Sequence, residues 1–559
     1  MTTDQAGEPL LIGPLLRRVA GTKATIWVET AHAAEVEVRA GGAGGRATTF
    51  SAFGHHYALV VVEGLAAGAA TPYDVYVDGA HVWPPADSPY PRSVIRTRGE
   101  AERETDARLV FGSCRETTQH ATTRRLPPDA LDAYARRLMH AGADDEAWPD
   151  SLVLLGDQVY ADKTSDTVRK QLKARTKPQH GIADDVQTYD EYTHLYLESW
   201  RDPEIRWLFS TVPVVMMFDD HEIIDDWNSS ASWRADMQNE PWWAERIMNG
   251  LASYWVYQHM GNLPPDRLQD DALYPKVAGA ADATEILREF AARVDQEADF
   301  GHDPESWKSR QYQWSFAIDL GRTRLVVLDN RCSRVLDPDH RAMLPAAEWS
   351  WFLDQAHGST FDHLVVGSSL PWLMPPAIHY LEAWNERISA SKRPRVAAFG
   401  EKVRRAVDLE HWAAFQSSFE ALADLFRVLG RSSTGPASIS VLSGDVHHSY
   451  VAKAELGPGV ITPVHQLTCS PIHNDVPNFM RPLMRIGWSR WAGVVARLLA
   501  FSVGVRSSSL RWRRTGDGPY FGNAVATLTH RGREARVIIE GTTTDGTLET
   551  VGDVALTTR

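Results

Sequence analysis

The stretch that decides the fold is residues 212–227, which read VPVVMMFDDHEIIDDW. A short apolar run typical of a buried β-strand stops at Asp219, and five carboxylates and one histidine follow within eight residues. Carboxylates at the end of a buried strand repel one another strongly unless a cation neutralises them. Because Phe218, Ile223 and Trp227 lie among the acidic residues, we favour a metal-binding loop over an exposed acidic loop.

Five further apolar runs stop at polar residues in the same way, and helical patterns lie between them, at 128–142, 242–261, 347–357 and 419–430. Strands that alternate with helices predict an α/β fold, in which ligands bind at the carboxyl ends of the strands. Six such ends therefore indicate one convergent site. The runs 109–112, 152–156, 325–328, 363–366 and 438–443 lead into Cys114, Asp157, Asp329, Ser368 and Asp445.

The first part of the chain has a different pattern. Residues 9–98 contain short β-rich runs separated by turn residues, which predicts a small all-β sandwich domain. The charged stretch 99–106 marks a domain boundary, so we expect a catalytic domain over 107–559. Within it, helical insertions are predicted at about 163–210, 227–310 and 476–515.

Composition narrows the class of protein. A chain of 559 residues exceeds one ordinary core, which agrees with two domains. The net charge of −14 argues against a stable nucleic-acid partner, because a polyanion would be repelled over most of the surface. Three cysteines do not make a disulfide framework.

We find no export signal and no apolar run of the roughly 18 residues that a membrane span needs, so we expect a cytoplasmic protein.

The motifs at the strand ends differ in how strongly each one alone predicts a metal site. Asp445 and His447 follow a strand and a small-residue turn, and their oxygen and imidazole atoms suit divalent or trivalent cations. Asp157 alone is more simply a solvated loop acid. Cys114 alone is a buried small apolar residue, but a thiolate becomes plausible beside carboxylates and a cation.

In their order along the chain, five segments resemble the alkaline phosphatase D (PhoD-like) family of metallophosphoesterases. The segments are 111–114 (FGSC), 155–160 (LGDQVY), 219–227 (DDHEIIDDW), 327–331 (VLDNR) and 443–447 (SGDVH). The resemblance implies a two-sheet β-sandwich flanked by helices in four layers, with a multinuclear metal site at one edge. It also implies an immunoglobulin- or fibronectin-like domain at the N-terminus.

The same resemblance implies a set of metal ligands: Cys114, Asp157, Tyr160, Asp220, Asp226, Asp445 and His447. Cys114 and Tyr160 would hold a ferric ion, and Asp157 would bridge it to calcium. Manganese and zinc are the alternative cations. Asp225 competes with Asp226 as the ligand of the second metal, since both stand where the family often has asparagine.

The expected reaction is the hydrolysis of a phosphoric ester by a metal-activated hydroxide. His221 would stabilise charge or protonate the leaving oxygen, and Arg331 and Arg115 would hold phosphate oxygens. The alternative for each arginine is a structural salt bridge, and for Arg115 the two alternatives are equal. Asp329 and Arg331 form the weakest of the predicted site loops.

The sequence is also compatible with two rival functions. The first is a phosphodiesterase that acts on lipid or nucleotide diesters, because the sequence does not decide between monoester and diester substrates. The second is a non-enzymatic binding protein on a degenerate phosphoesterase scaffold, which ranks last because none of the expected metal positions is lost. The expected partner is thus a small phosphate ester or a lipid or nucleotide diester.

Residues 476–515 form a separate feature, with eight arginines, several aromatic residues and no Asp or Glu. One interpretation is a peripheral contact with anionic lipid. The other is a capping insertion whose arginines lie over the catalytic domain. Arg490 and Arg497 share a helical face but Arg481 and Arg485 do not align with them, and this poor amphipathicity favours the capping insertion.

Overall fold

The computed structural model describes residues 7–99, 105–142, 148–173, 184–297, 312–358, 361–476, 478 and 480–557. Parts of the predicted insertions 163–210, 227–310 and 476–515 lie outside the described residues, namely 174–183, 298–310, Pro477 and Phe479.

All regular elements between Leu10 and Arg96 are strands. One antiparallel sheet contains, in spatial order, β1 (Leu10–Ala20), β2 (Lys23–Thr30), β6 (His55–Val62) and β5 (Phe50–Ala52). A second contains β4 (Ala43–Thr48), β3 (Glu35–Ala40), β8 (Asp74–Val77) and β9 (Ala80–Trp83). A short ladder joins β7 (Ala70–Pro72) to β10 (Val94–Arg96).

The first of these sheets buries apolar side chains on both of its faces. Leu16 and Ile26 lie in a cluster with residues of the second sheet. Their neighbours Leu15 and Trp27 point to the opposite face, as strand alternation requires, and pack with Trp200 and other residues of the predicted catalytic region. The two regions therefore share a core, and their division into two domains, like the immunoglobulin-like character of the first, stays a prediction.

Two larger sheets carry the rest of the strands. The six-stranded sheet has the order β13 (Val214–Met217), β12 (Ser151–Leu155), β11 (Ala107–Gly112), β21 (Ala524–Arg531), β22 (Glu534–Thr542) and β23 (Leu548–Ala555). The seven-stranded sheet has the order β14 (Phe316–Leu320), β15 (Thr323–Val327), β16 (His363–Gly367), β17 (Ser438–Ser443), β19 (Val464–Thr468), β18 (Ser449–Glu455) and β20 (Arg511–Tyr520). Strands β11, β12 and β13 are parallel, as are β15, β16, β17 and β19.

These two sheets pack face to face. Leu109, Val153 and Val215 of the first sheet share a buried cluster with Leu325 and Val365 of the second. Their outer faces belong to two further clusters that contain helices. The predicted mixed α/β class is confirmed, and the four-layer sandwich is our interpretation of these clusters.

The helices of the described residues fall mainly between the strands. They are α1 (Ala130–Met139), α2 (Asp166–Leu172), α3 (Tyr189–Trp200), α4 (Pro203–Thr211), α5 (Ala231–Gln238), α6 (Trp243–Tyr254), α7 (Tyr274–Ala278), α8 (Thr284–Glu297), α9 (Ala346–Ala356), α10 (Pro376–Ser389), α11 (Pro394–Ala406), α12 (Gln416–Arg431), α13 (Met480–Gly487) and α14 (Arg490–Ser502). None of them combines the length with the apolar character that a bilayer crossing would require.

One predicted boundary differs from the structure. Helix α14 ends at Ser502, and residues 511–515 belong to strand β20 rather than to a helical insertion that extends to 515. This strand pairs with β18, which satisfies its backbone groups along one edge. The sequence did not predict this strand, because only one of its ten residues is buried and it has no alternation of apolar and polar residues.

Candidate metal centre and active site

The predicted site loops hold a backbone conformation that side chains rarely adopt. Cys114, Asp157, Asp445 and His447 have φ angles of 58°, 54°, 64° and 48°. Each lies just beyond the carboxyl end of β11, β12 or β17. Left-handed conformations cost non-glycine residues about 1–3 kcal/mol each and concentrate at functional sites. The loops therefore store strain at the edge where the strands of both sheets end.

Four carboxylates meet at this edge. Asp157, Asp219, Asp220 and Asp445 each bring one oxygen within 4.8 Å of the others, and we call these four residues the carboxylate cluster. Asp157 Oδ1 and Asp219 Oδ2 are buried and accept no hydrogen bond. Burial raises the pKa of Asp157 and Asp220 well above the usual value, and that of Asp219 to about 6. Buried, underpaired acceptors of this kind fit a bound cation.

Cys114 and Tyr160 converge on one oxygen of the cluster. Cys114 Sγ lies 3.4 Å and Tyr160 Oη 3.2 Å from Asp157 Oδ2. Asn474 Nδ2 donates to Tyr160 Oη at 3.0 Å, which fixes the phenol. Burial raises the pKa of both the thiol and the phenol well above their usual values. A thiol, a phenol and a carboxylate in contact form a donor set that fits a cation in place of their protons.

His221 faces the cluster from the loop after β13. Its Nδ1 lies 2.8 Å from Asp162 Oδ1, and its ring stacks on Tyr160 with the centroids 4.4 Å apart. Burial opposes the charged imidazole, but the carboxylates of Asp162 and Asp157 prevail and raise the pKa of His221 well above its usual value. One ring nitrogen can also reach within 4.8 Å of oxygens of Asp157 and Asp220. His221 is therefore oriented by Asp162.

Arg331 lies among the carboxylates and is fully buried. Its Nε donates to Asp219 Oδ1, and its Nη1 donates to Glu410 Oε2 at 2.6 Å. Its Nη2 lies 3.2 Å from Asp220 Oδ1 and 3.7 Å from Asp445 Oδ1. Every nitrogen of the guanidinium thus faces an acid, and Arg331 supplies the cluster with part of its countercharge. A direct contact with substrate stays a prediction.

The Asp329 side chain shapes its own loop. Its oxygens accept hydrogen bonds from the backbone N–H groups of Arg331, Cys332 and Ser333 at 3.0–3.1 Å. This arrangement orients Arg331 toward the cluster. The sequence indicated this loop only weakly as part of the site, and the structure gives the reason. The Asp329 side chain caps a turn and does not face a ligand.

The structure decides between the two alternatives for Arg115. Arg115 is only 2% exposed. Its Nε donates to Asp129 Oδ2 at 2.8 Å and its Nη1 donates to Ser199 Oγ at 2.7 Å. Asp129 is at the same time the N-cap of α1. The salt bridge is what forms, so the expectation that Arg115 holds phosphate is replaced by a structural role.

Asp226 and His447 stand apart from the cluster. Neither belongs to the groups of converging ligand atoms found in the described part of the chain. The Asp226 backbone N–H donates to Asp220 Oδ2 at 2.9 Å, and burial raises the pKa of the Asp226 side chain to about 9. Burial lowers the pKa of His447 to about 4, which keeps the ring in the neutral form that binds metals. Asp225 is the more exposed of the two adjacent acids. The ligand roles of Asp226 and His447 stay predictions.

Sequence reasoning missed a buried chain of acids and imidazole that reaches Asp445. His411 Nδ1 lies 2.8 Å from Glu382 Oε1, and His411 Nε2 lies 3.3 Å from Asp445 Oδ2. Burial opposes the imidazolium, but Glu382 and Asp445 raise the pKa of His411 to about 10. No strand precedes His411, so the strand-end pattern that located Asp445 gave no signal for it.

Glu222 was also missed as a distinct element of the site. Its carboxylate accepts hydrogen bonds from the backbone N–H groups of Asp157, Gln158 and Asp219 at 2.7–3.2 Å. It therefore ties the loop after β12 to the loop after β13. The acid-rich stretch 219–226 contained it, but the sequence did not distinguish an acid that binds backbone from one that binds a cation.

These features define a class of protein: a metal-binding α/β protein whose carboxylates, thiol and phenol gather at the carboxyl ends of strands from two packed sheets. The particular family follows from a family model described as PhoD-like phosphatase, which matches residues 132–481. The chain belongs to this family, as its motifs predicted. A model described as a domain of unknown function (DUF7800) matches residues 7–95.

Two solved structures are similar to this chain. A structure of PhoD matches with 11% sequence identity and a TM-score of 0.59, over 99% of this chain and 93% of that one. At this identity the likeness shows the fold alone. The purple acid phosphatase PPD1 from yellow lupin (Lupinus luteus) seeds matches with 10% identity and a TM-score of 0.49, over 97% of this chain and 74% of that one. No curated protein matches the chain.

Proposed function

We propose that the chain hydrolyses phosphoric esters at the carboxylate cluster with the aid of bound metal ions. Membership of the PhoD-like phosphatase family supports the reaction. The observation that carries the metal dependence is the pair of buried oxygens, Asp157 Oδ1 and Asp219 Oδ2, that accept no hydrogen bond. Such atoms cost stability unless a ligand satisfies them.

The proposed ligands are Cys114, Asp157, Tyr160, Asp220, Asp226, Asp445 and His447, to which the structure adds Asp219 as a candidate. The thiol and the phenol that contact Asp157 would suit a ferric ion, and the carboxylates would suit calcium, with manganese or zinc as alternatives. When bound, such cations neutralise phosphate oxygens and lower the pKa of a coordinated water.

The chain's own residues supply the proton and the countercharge. Asp162 holds Nδ1 of His221, which leaves Nε2 to donate a proton to the leaving oxygen of the ester. Arg331 neutralises part of the cluster through its contacts with Asp219, Asp220 and Glu410. Because Glu222 fixes both loops, these groups are held in place before substrate binds.

The test is the hydrolysis of a chromogenic phosphomonoester and a chromogenic phosphodiester before and after exhaustive chelation. We expect activity on at least one of them, its loss on chelation, and its return with ferric ion plus calcium, with manganese or with zinc. The preferred ester decides between the monoesterase and the diesterase, including lipid and nucleotide diesters. Full activity after chelation would overturn the metal dependence, and no activity on either ester with any cation would overturn the hydrolase.

A further inference from the structure

Helix α14 presents its large apolar residues to the outside. Ala492, Ala496 and Ala500 recur every four residues and are the side chains that it buries. The large residues lie on the remaining surface, where Trp491 is 64% and Leu498 62% exposed. A helix that only capped the catalytic domain would bury these residues and expose the alanines.

The exposed residues form a concentrated patch. Within the described residues, eight of the twelve large apolar side chains that are exposed lie between 483 and 501. They are Leu483, Ile486, Trp491, Val494, Val495, Leu498, Leu499 and Phe501. Isolated exposed apolar residues are ordinary, but a contiguous group of them marks a binding surface. We call α13 and α14 together the helical hairpin.

The surroundings of the patch are cationic. Residues 476–515 contain eight arginines and no acidic residue, in a chain whose net charge is −14. Arg485 lies over the Phe521 ring, and Arg497 lies over the Phe501 ring within the patch itself. Arg490 and Arg497 are exposed on the same helix as the apolar residues. The patch therefore combines apolar side chains with a local positive charge, in a chain whose overall charge is negative.

The hairpin lies next to the elements of the candidate site. It packs on α10, through Ala377 and Ala383. The same helix buries Glu382, which reaches Asp445 of the carboxylate cluster through His411. At the base of the hairpin, Trp488 packs against Tyr450 with the ring centroids 5.1 Å apart. The hairpin is thus connected to the cluster through α10, Glu382 and His411.

We propose that the helical hairpin docks on the surface of an anionic lipid bilayer. Trp491, Leu498 and their apolar neighbours would enter the interface while the arginines meet the anionic headgroups. A second copy of this chain is a poorer occupant, because two hairpins would bring eight arginines together, four from each chain. The proposal concerns the hairpin alone and does not depend on the proposed hydrolysis.

The test is co-sedimentation of the full chain with vesicles of phosphatidylcholine and of phosphatidylcholine mixed with phosphatidylglycerol. We expect binding to the mixed vesicles only, and its loss at high salt. The double variant Trp491→Ser/Leu498→Ser should bind at least about tenfold more weakly, because it removes two large apolar side chains. Arg490→Gln/Arg497→Gln should lose about fivefold for each arginine.

A matched control is Phe399→Ser/Val428→Ser, which removes two exposed apolar residues outside the hairpin and should bind as the unaltered chain does. Circular dichroism of every variant shows that the fold is kept, so weaker binding reports on the surface. The absence of binding to mixed vesicles would overturn the proposal. So would a dimer, seen by light scattering, that Trp491→Ser/Leu498→Ser converts to a monomer.

Discussion

Two of the regions that bury charged groups differ in how those groups are hydrogen-bonded. Where the N-terminal sheet meets the catalytic region, Arg17 donates from Nε to Val214 O, from Nη1 to Tyr257 O and from Nη2 to Gln258 O, at 2.6–3.0 Å. In the carboxylate cluster, Asp157 Oδ1 and Asp219 Oδ2 accept nothing. Each nitrogen of the buried Arg17 guanidinium thus donates a hydrogen bond, whereas one oxygen of each of these two buried carboxylates has no partner.

This difference separates a structural role from a functional one. A matched buried group holds two parts of a fold together, because removing it leaves its partners unsatisfied. An unmatched group lowers the stability of the protein alone and is retained for what it binds. The contrast therefore predicts that changes at Arg17 affect stability and that changes at Asp157 affect activity.

The largest effect is expected from Asp157→Asn. The amide keeps the size of the side chain but loses the charge and one acceptor, so kcat/KM for a phosphoric ester should fall by at least about 10³-fold, which is about 4 kcal/mol. The unfolding free energy of the metal-free protein should not fall, because a buried charge has been removed. Asp354→Asn, at an exposed position of α9, is the control. Near-normal activity of Asp157→Asn would contradict the functional role that we assign to the carboxylate without a hydrogen-bond partner.

The converse effect is expected from Arg17→Met. Three carbonyl oxygens lose their donors at the interface, so the unfolding free energy measured in urea should fall by about 3 kcal/mol. The protein that stays folded should keep its kcat/KM. Arg46→Met, at an exposed ion pair, should change stability by less than about 0.5 kcal/mol. If Arg17→Met and Arg46→Met lowered the unfolding free energy equally, the hydrogen bonds of Arg17 would contribute little to stability.

A smaller, pH-dependent effect concerns a buried polar group outside the carboxylate cluster. It tests whether the lack of a hydrogen-bond partner lowers the stability of the fold there too. His379 Nδ1 has no hydrogen bond, and the ring packs on Phe419 and Trp512. Burial lowers the pKa of His379 from 6.5 to about 3. As the pH falls below 6.5, the unfolded chain binds a proton that the folded chain does not, so stability is lost on acidification, by about 2 kcal/mol at pH 5.

The sign of this effect is checked by measuring the unfolding free energy at pH 7.5 and again at pH 5. In His379→Phe, the decrease in unfolding free energy from pH 7.5 to pH 5 should be smaller by about 2 kcal/mol than in the unaltered chain. His340→Phe, at an exposed position, should leave the loss unchanged. A loss of the same size in the unaltered chain and in His379→Phe would contradict the prediction.

The sequence predicts the parts of the site that lie in local patterns. Asp157, Asp220 and Asp445 each follow a buried strand, and the structure brings their oxygens together. Asp162, Glu382 and His411 come from loops and helices with no such pattern, and only tertiary packing places them beside the site. Arg115 shows the same limit: the sequence offered phosphate or an acid as its partner, and the position of Asp129 decides.

The fold was predictable to a similar depth. The β-rich pattern of 9–98 and the alternation of strands with helices identified the two kinds of architecture, because periodicity is a local property. The shared core between Trp27 and Trp200 was not predictable, since a strand buried on both faces reads much like any apolar strand. Strand β23 was not predictable either, because Val554 is the one residue in it that is buried.

The most direct measurement is the metal content of the purified chain and of Asp157→Asn, followed through chelation and reconstitution alongside hydrolysis. We predict stoichiometric metal in the unaltered chain, a large reduction in Asp157→Asn, and hydrolysis that rises and falls with the bound metal. Full hydrolysis by a protein in which elemental analysis detects no iron, calcium, manganese or zinc would contradict the assignment of the carboxylate cluster as a metal centre.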